Sequence, residues 1–431
     1  MNRCNYNKSP NVLLYAKNTE YSKTFVKTAL ECQRFGFNFD KMKFRNSCLI
    51  KARAMAKDPE IVKYTSISAN DVILDNAKEH FTIPQKPNIK NDEINGTGID
   101  LGTSRCCAAV NRKNKIETVA LDNQGQRLLP SYVGFDENKI KCGQLVADRL
   151  RYFSKYTVFD SKRIIGRKFE DIKINSRWPF KIINTGNGVC IEVETATEIS
   201  RKNPEQIATA LLKQIKQKAE AFQGQKLTNV VITVPATFTE LQKCATHSAA
   251  VLAGWNIVEL LPEPVAAVFA YFIDRPIPNN STLLLFDLGG GTLDVCVFHV
   301  ANNEIEILSI DGDSQLGGRD FDNVLIDYFH DRLKTEKGIN ELGDRKYKLI
   351  QDCEKIKEDL SAIDKSWLDV DGYDPSKTGL LTIIQTEFEK LSEALLIRIK
   401  NCILSAVNKS SAKDIDKVFF VGGGSRMPMT Y

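Results

Sequence analysis

The stretch Leu285-Phe-Asp-Leu-Gly-Gly-Gly-Thr-Leu-Asp-Val-Cys-Val-Phe298 narrows the possible folds more than any other part of the chain. Its two apolar arms read as buried strands, and the glycines between them reverse the chain in a tight hairpin. Consecutive glycines can take positive φ and carry no Cβ, so backbone N–H groups can close around an anion such as a phosphate. Asp287 ends the first arm and Thr292 opens the second, which puts a carboxylate and a hydroxyl at the rim of such a pocket. Taken alone, the pattern is equally that of an ordinary glycine hairpin.

A second copy changes the reading. Gly98-Ile-Asp-Leu-Gly-Thr-Ser-Arg-Cys-Cys-Ala-Ala-Val110 repeats the order of apolar strand, Asp100, Gly102, the hydroxyl pair Thr103 and Ser104, and apolar strand. Two such hairpins, far apart in the chain, fit two similar lobes that share a cleft, each giving one phosphate loop and one carboxylate. A third loop of Gly422, Gly423, Gly424, Ser425 and Arg426 follows the apolar strand 418–421.

Three strand-linked glycine turns in this order resemble the actin-like ATPase superfamily and, within it, the seventy-kilodalton heat-shock (DnaK-type) chaperones. The likeness includes Val158-Phe-Asp-Ser-Lys-Arg-Ile-Ile-Gly-Arg167, Val230-Val-Ile-Thr-Val-Pro235, Glu263-Pro-Val-Ala-Ala267 and Leu316-Gly-Gly-Arg-Asp-Phe-Asp322. It covers residues 96–431 in family order. The fold it implies is α/β: a two-lobed actin-like ATPase (ribonuclease H-like) fold with central mixed sheets. Lobe I is expected at 96–276 and lobe II at 277–431, behind an α-rich N-terminal extension at 1–95.

The same resemblance implies ATP binding and Mg-dependent hydrolysis to ADP and phosphate. Gly102, Thr103 and Ser104, with Gly289, Gly290, Gly291 and Thr292, would cradle the phosphates. Asp100 and Asp287 would hold Mg²⁺ largely through water, as suits a hard cation between facing carboxylates. Lys162, Glu263, Asp287 and Asp294 would orient the attacking water, with charge and positioning supplying most of the acceleration. Glu354 would accept from the ribose hydroxyls, Lys357 would flank the nucleoside, Ser361 would bond the adenine edge and Arg426 would cover one face of the base. Position 358, where the family usually places a second stacking arginine, holds Glu358. A carboxylate there would meet the negative face of the ring and add nothing, leaving the adenine held from one side; the plainer alternative is that Glu358 pairs with Lys355 or turns to solvent.

Outside these motifs each of the implied residues has a plainer role: Lys162 a solvated charge, Glu263 a carboxylate favoured by a helix N-terminus, Glu354 and Lys357 an ordinary charged helix face. The chain contains no Walker A pattern, and His80, His247, His299 and His330 lack metal-ligand spacing, so a zinc site is not expected. Eleven cysteines without C-x-x-C spacing suit a reducing compartment; adjacent Cys106 and Cys107 should point to opposite faces of their strand. Residues 1–95 carry 16 Lys and Arg against 10 Asp and Glu, so the whole positive excess sits there. Dispersed as they are, these charges read as solvated surface rather than a nucleic-acid site.

Helices are expected near 21–37, from Asp58, over 70–81, 143–153, 158–165, 203–223, 238–254, 265–272, 322–334, 346–360 and 387–407, with a linker at 84–95. Runs 116–121 and 132–135 should complete the first sheet. No stretch reaches transmembrane length, and the reading is a cytoplasmic monomer, with a mitochondrial presequence as the alternative. The family continues beyond the match into closing helices, a linker and a peptide-binding domain. From that, a chaperone ATPase without its own peptide-binding domain, or a truncated gene product, is expected, served by J-domain proteins and nucleotide-exchange factors. A non-catalytic nucleotide-binding or co-chaperone-binding protein is the alternative; a sugar kinase is disfavoured by the 158–167 and 316–322 matches.

Overall fold

The computed structural model describes residues 80–83 and 95–430, apart from 113–114, 187, 273–274 and 276–278. The helices expected near 21–37 and from Asp58, and most of the one over 70–81, lie outside the described residues. The end of that last segment is not helical: His80–Thr82 is a strand, antiparallel to Glu304–Asp313 at the edge of a sheet. Ile83 beyond it is buried in the core.

Two mixed sheets carry the two hairpins, and they share one plan. In the first, Gly96–Asp100 turns back into Arg105–Arg112, with Asn229–Val234 parallel on its outer side and Lys115–Thr118 antiparallel on the other. In the second, Ser281–Leu288 turns back into Leu293–Ala301, flanked by parallel Lys417–Val421 and antiparallel Glu304–Asp313. Ile257–Pro262 extends the first sheet, and Leu128–Pro130 pairs with Arg105–Arg112. The repeated hairpin in the sequence is thus a repeated sheet topology. Run 132–135 does not join: Val133–Gly134 pairs instead with Lys141–Cys142 and Thr157–Val158 in a small separate sheet.

Between the sheets lies Glu263–Phe272, buried on nearly every side. A helix apolar all round has no solvent face to offer and belongs in a core. Val265, Val268, Phe269 and Phe272 pack with Val231 and Leu261 of the first sheet and with Leu283, Phe298 and Phe419 of the second. Its position presents Glu263, its first residue, to the cleft where both hairpins end.

Other helices follow their end signals. Pro204–Gln223 opens on an Asn203 capping box, with Asn203 N donating to Gln206 Oε1 at 2.9 Å, and closes at Gly224 with φ of 85°. Gly318–Thr335 and Arg345–Leu360 pack on each other, and the second also packs on the strand Lys365–Asp369 of a separate two-stranded sheet. Three expectations fail. Segment 143–153 is two short helices, Gln144–Asp148 and Leu150–Phe153, parted at Arg149. Segment 158–165 is a strand end followed by a 3₁₀ turn at Ser161–Arg163, because Asp160 sits in the left-handed region at φ 57°. Buried Asp160 accepts from Trp178 Nε1 at 3.1 Å and from Arg319 Nε at 3.3 Å, which holds the turn. Segment 387–407 is two helices, Gln385–Leu391 and Glu393–Ser410, parted at Ser392. Cys106 and Cys107 do face opposite ways, into separate clusters, and no helix among the described residues is long and apolar enough to cross a membrane.

Candidate functional site

The two hairpins and the third glycine loop meet in one cavity of about 470 Å³. Of the residues singled out from sequence, Asp100, Gly102, Thr103, Ser104, Lys162, Glu263, Asp287, Gly289, Gly290, Thr292, Glu354, Lys357, Ser361 and the loop 422–426 all line it. Gly291 and Asp294 stand just behind. Leu128, Phe420 and Met427, none of them assigned a role from sequence, contribute apolar wall, and Arg105 and Gly318 also line the cavity.

The glycines are needed because the loops press on one another. A Cβ on Gly290 would overlap Ser104 Oγ, and one on Gly291 would stand 2.6 Å from Thr103 Cγ2, so the hairpins touch directly. Gly422 is required twice over: its φ is 83°, and a Cβ there would overlap Leu288 O. Gly423, by contrast, faces open cavity with no atom within 4 Å of where a Cβ would be. The second hairpin closes through Gly289 N to Thr292 O at 2.9 Å. It is backed by Gly318 N and Arg319 N donating to the carbonyls of Gly289 and Gly290. Arg163 ties the first region to it, donating to Gly291 O at 3.1 Å and to Asp320 Oδ2 at 2.5 Å.

On the cavity floor four acids surround one lysine. Lys162 Nζ bonds Glu263 Oε1 at 2.8 Å, both side chains about nine-tenths buried. Asp287 and Asp294 are direct cross-strand partners, so their like charges share a face. Burial, then Glu263, Asp294 and Asp100, push the Asp287 carboxyl well above its ordinary value. Burial and Glu263 raise both Asp100 and Asp294 to about 7, against the opposing pull of Lys162. Lys162 itself keeps its proton firmly: burial would lower it, but Glu263 and Asp100 more than offset that. Asp294 Oδ1 accepts from Thr237 N and Oγ1 at 3.3 and 3.2 Å, whereas its buried Oδ2 has no hydrogen-bond partner.

That arrangement fits a divalent hard cation. Excess buried carboxylate, all-oxygen donors and an orphaned buried oxygen call for positive charge. Among the described residues no three His, Cys, Asp or Glu side chains form a ready ligand cluster.

At the other end of the cavity the three helix residues expected to meet the nucleoside are already engaged within the protein. Glu354 Oε2 accepts from Arg319 Nη1 at 3.1 Å and its Oε1 from Arg105 Nη2 at 2.9 Å. Lys357 pairs with Asp322 at 2.6 Å, and Ser361 Oγ donates back to Lys357 O at 3.0 Å. Glu358 does not pair with Lys355: half exposed, it accepts from Arg105 Nη2 at 2.9 Å. Arg105, Arg319 and Thr237 were given no role from sequence. Arg105 and Arg319 did carry a signal, since both lie within the motif stretches 98–110 and 316–322; Thr237 carried none.

Paired sheets that each deliver a glycine hairpin and a carboxylate into a shared cavity, the second adding the loop 422–426, make this an actin-like fold. The family model described as Hsp70 protein matches residues 96–431. The heat shock 70 kDa protein of Emericella nidulans is 34% identical over 341 residues, covering 77% of this chain and 52% of its own length. Heat shock cognate 70 kDa protein 3 of Dictyostelium discoideum is 35% identical over 345 residues, 77% of this chain and 54% of its own. A ribosome-associated molecular chaperone of Eremothecium gossypii is 34% identical over 339 residues, 77% of this chain and 55% of its own. The chain belongs to the Hsp70 family. It spans about half the length of the curated relatives it matches.

Proposed function

We propose that the chain is the nucleotide-binding part of a chaperone system: it binds ATP with Mg²⁺, hydrolyses it to ADP and phosphate, and uses the change to drive a protein-folding cycle. The observation that carries this reading is the convergence of Asp100, Lys162, Glu263 and Asp287 with three glycine loops on one cavity. The division into lobes at 96–276 and 277–431, hinged about the cavity, belongs to the same proposal, as do J-domain and nucleotide-exchange partners and a cytoplasmic location.

Backbone N–H groups of the two hairpins, with the hydroxyls of Thr103 and Thr292, would hold phosphate oxygens. The ammonium of Lys162, kept charged by Glu263 and Asp100, offers a fixed positive group toward the terminal phosphate. Asp100 and Asp287 would hold Mg²⁺, whose bound charge would neutralise phosphate oxygens during transfer. Glu263 and Asp294 would orient the attacking water; their carboxylates need only position it, since phosphoryl transfer relies mainly on alignment and charge. Glu354, Lys357, Ser361 and Arg426 would bind the nucleoside.

Purified protein given Mg-ATP tests the reading. Phosphate release that stops with chelator supports it. Tight nucleotide binding without release would leave the non-catalytic alternative, and absence of binding by calorimetry would overturn the proposal.

A further inference from the structure

The nucleoside end of the cavity is spanned by a contact that joins its two walls. Arg105 sits one residue past Ser104 on the first sheet's hairpin, and a single nitrogen, Nη2, donates to Glu354 Oε1 and to Glu358 Oε1, each at 2.9 Å. The acceptors lie one helical turn apart on Arg345–Leu360, so both carboxylates face the same guanidinium. Donor and acceptors are 249 and 253 positions apart in the chain, and all three side chains line the cavity.

Depth separates this contact from the phosphate machinery. The side chains of Arg105 and Glu358 remain 40% and 53% exposed, whereas Asp287 on the floor is 8% exposed. Glu354 is the fixed post: its other oxygen is held by Arg319, which also bonds Asp160 and Tyr132 in the interior. Burial would raise the Glu354 carboxyl, but Arg319, then Lys357 and Arg105, hold it down to about 2. Arg105 therefore meets a charged partner at neutral pH. Arg105 in turn is held above its ordinary value: Glu354 and Glu358 outweigh burial.

Resting on the nucleotide-binding reading above, we infer that Arg105 is a nucleotide-retaining residue. With Glu354 and Glu358 it forms a charged latch that ties the hairpin wall to the helix wall and has to part before a nucleotide enters or leaves. A latch at the rim does no chemistry on the phosphates, so it governs residence time rather than the hydrolytic step. Because Arg105 and Glu358 stand partly in water, it weakens with ionic strength.

The test is nucleotide release, followed as the fluorescence change when bound N-methylanthraniloyl-ADP is chased with excess unlabelled ADP at low and high salt. Arg105→Gln should raise the off-rate roughly 3- to 10-fold at low salt, in the range of a charged pair near the surface. It should also flatten the salt dependence that the parent protein shows. Arg105→Glu should release faster still, and the exchange Arg105→Glu with Glu358→Arg should recover part of the slow release, which a merely structural role for Arg105 would not produce. Glu358→Gln, on the more exposed partner, gives the same readout if the Arg105 variants do not fold. An off-rate in Arg105→Gln (or, in its place, Glu358→Gln) within about twofold of the parent, with the same salt slope, overturns the latch and leaves nucleotide binding standing. Failure of the parent protein to bind the fluorescent nucleotide at all overturns both.

Discussion

The two ends of the cavity are built by different physics. At the phosphate end, main chain meets main chain at distances that admit only glycine, and four acids are crowded around one buried lysine. At the nucleoside end the walls are joined by long charged side chains that stay partly in water. Close-packed backbone has one arrangement and stores electrostatic cost, whereas flexible side chains can part and close again at little expense. The difference suggests that chemistry is assigned to the rigid end and exchange to the pliable one.

The sharpest way to break this contrast is to neutralise the rigid end. Asp287→Asn and Lys162→Met should each lower turnover on the order of 10²–10³-fold with the circular dichroism spectrum retained, since each removes one preorganised charge contact, although Lys162→Met also leaves Glu263 unpaired in the interior and should melt lower. Steady-state phosphate release at parental rates in both variants would sink the assignment of the floor.

Glycine substitutions sharpen it next. A Cβ on Gly317 would stand 2.5 Å from Gly291 N, against backbone that cannot give way, so Gly317→Ala should cost about 1–3 kcal/mol in denaturant unfolding. Gly423→Ala meets nothing and should stay within about 0.5 kcal/mol, while weakening nucleotide binding by filling the cavity wall. Equal stability losses at the two positions would show that loop contact is not what selects glycine.

A pH series probes the stored cost. Folded Asp294 keeps its proton up to about 7, against about 4 in an unfolded chain. Stability from this group is therefore complete below about pH 4 and lost as pH rises through about 7. An asparagine side chain cannot ionise, so in chelator the stability of Asp294→Asn relative to the parent should climb across that window by something of order 1–3 kcal/mol. Thermal melts that show a constant or falling difference would mean that the carboxylate is not under strain. The smallest effect belongs to the pliable end: Glu358→Gln should cost only about 0.2–1 kcal/mol of stability, and less at high salt. A loss of several kcal/mol would make that end as rigid as the other.

Much of this organisation was legible along the chain because it is encoded between near neighbours. Strand alternation and glycine punctuation around Asp100 and Asp287 announced both hairpins, and the helix expected over 203–223 is found at Pro204–Gln223. Segment 158–165 misled because its apolar residues have helical spacing, while its backbone is set by Trp178 and Arg319, distant residues that pin Asp160 in a left-handed turn. His80–Thr82 likewise became a strand by adding to the edge of a sheet more than two hundred residues away.

The fold class, the family and the set of residues that gather at the cavity could all be read along the chain, since hairpins, caps and motifs depend on interactions within a few positions. Which side chains engage one another was settled by the packing of distant elements. Glu358 could have met Lys355 on its own helix, yet it meets Arg105. Glu354 could have waited open for a ligand, yet it is bound on both oxygens. The reason is physical: a charged side chain has many acceptable partners in sequence, and only the docking of two walls selects the one within hydrogen-bond reach.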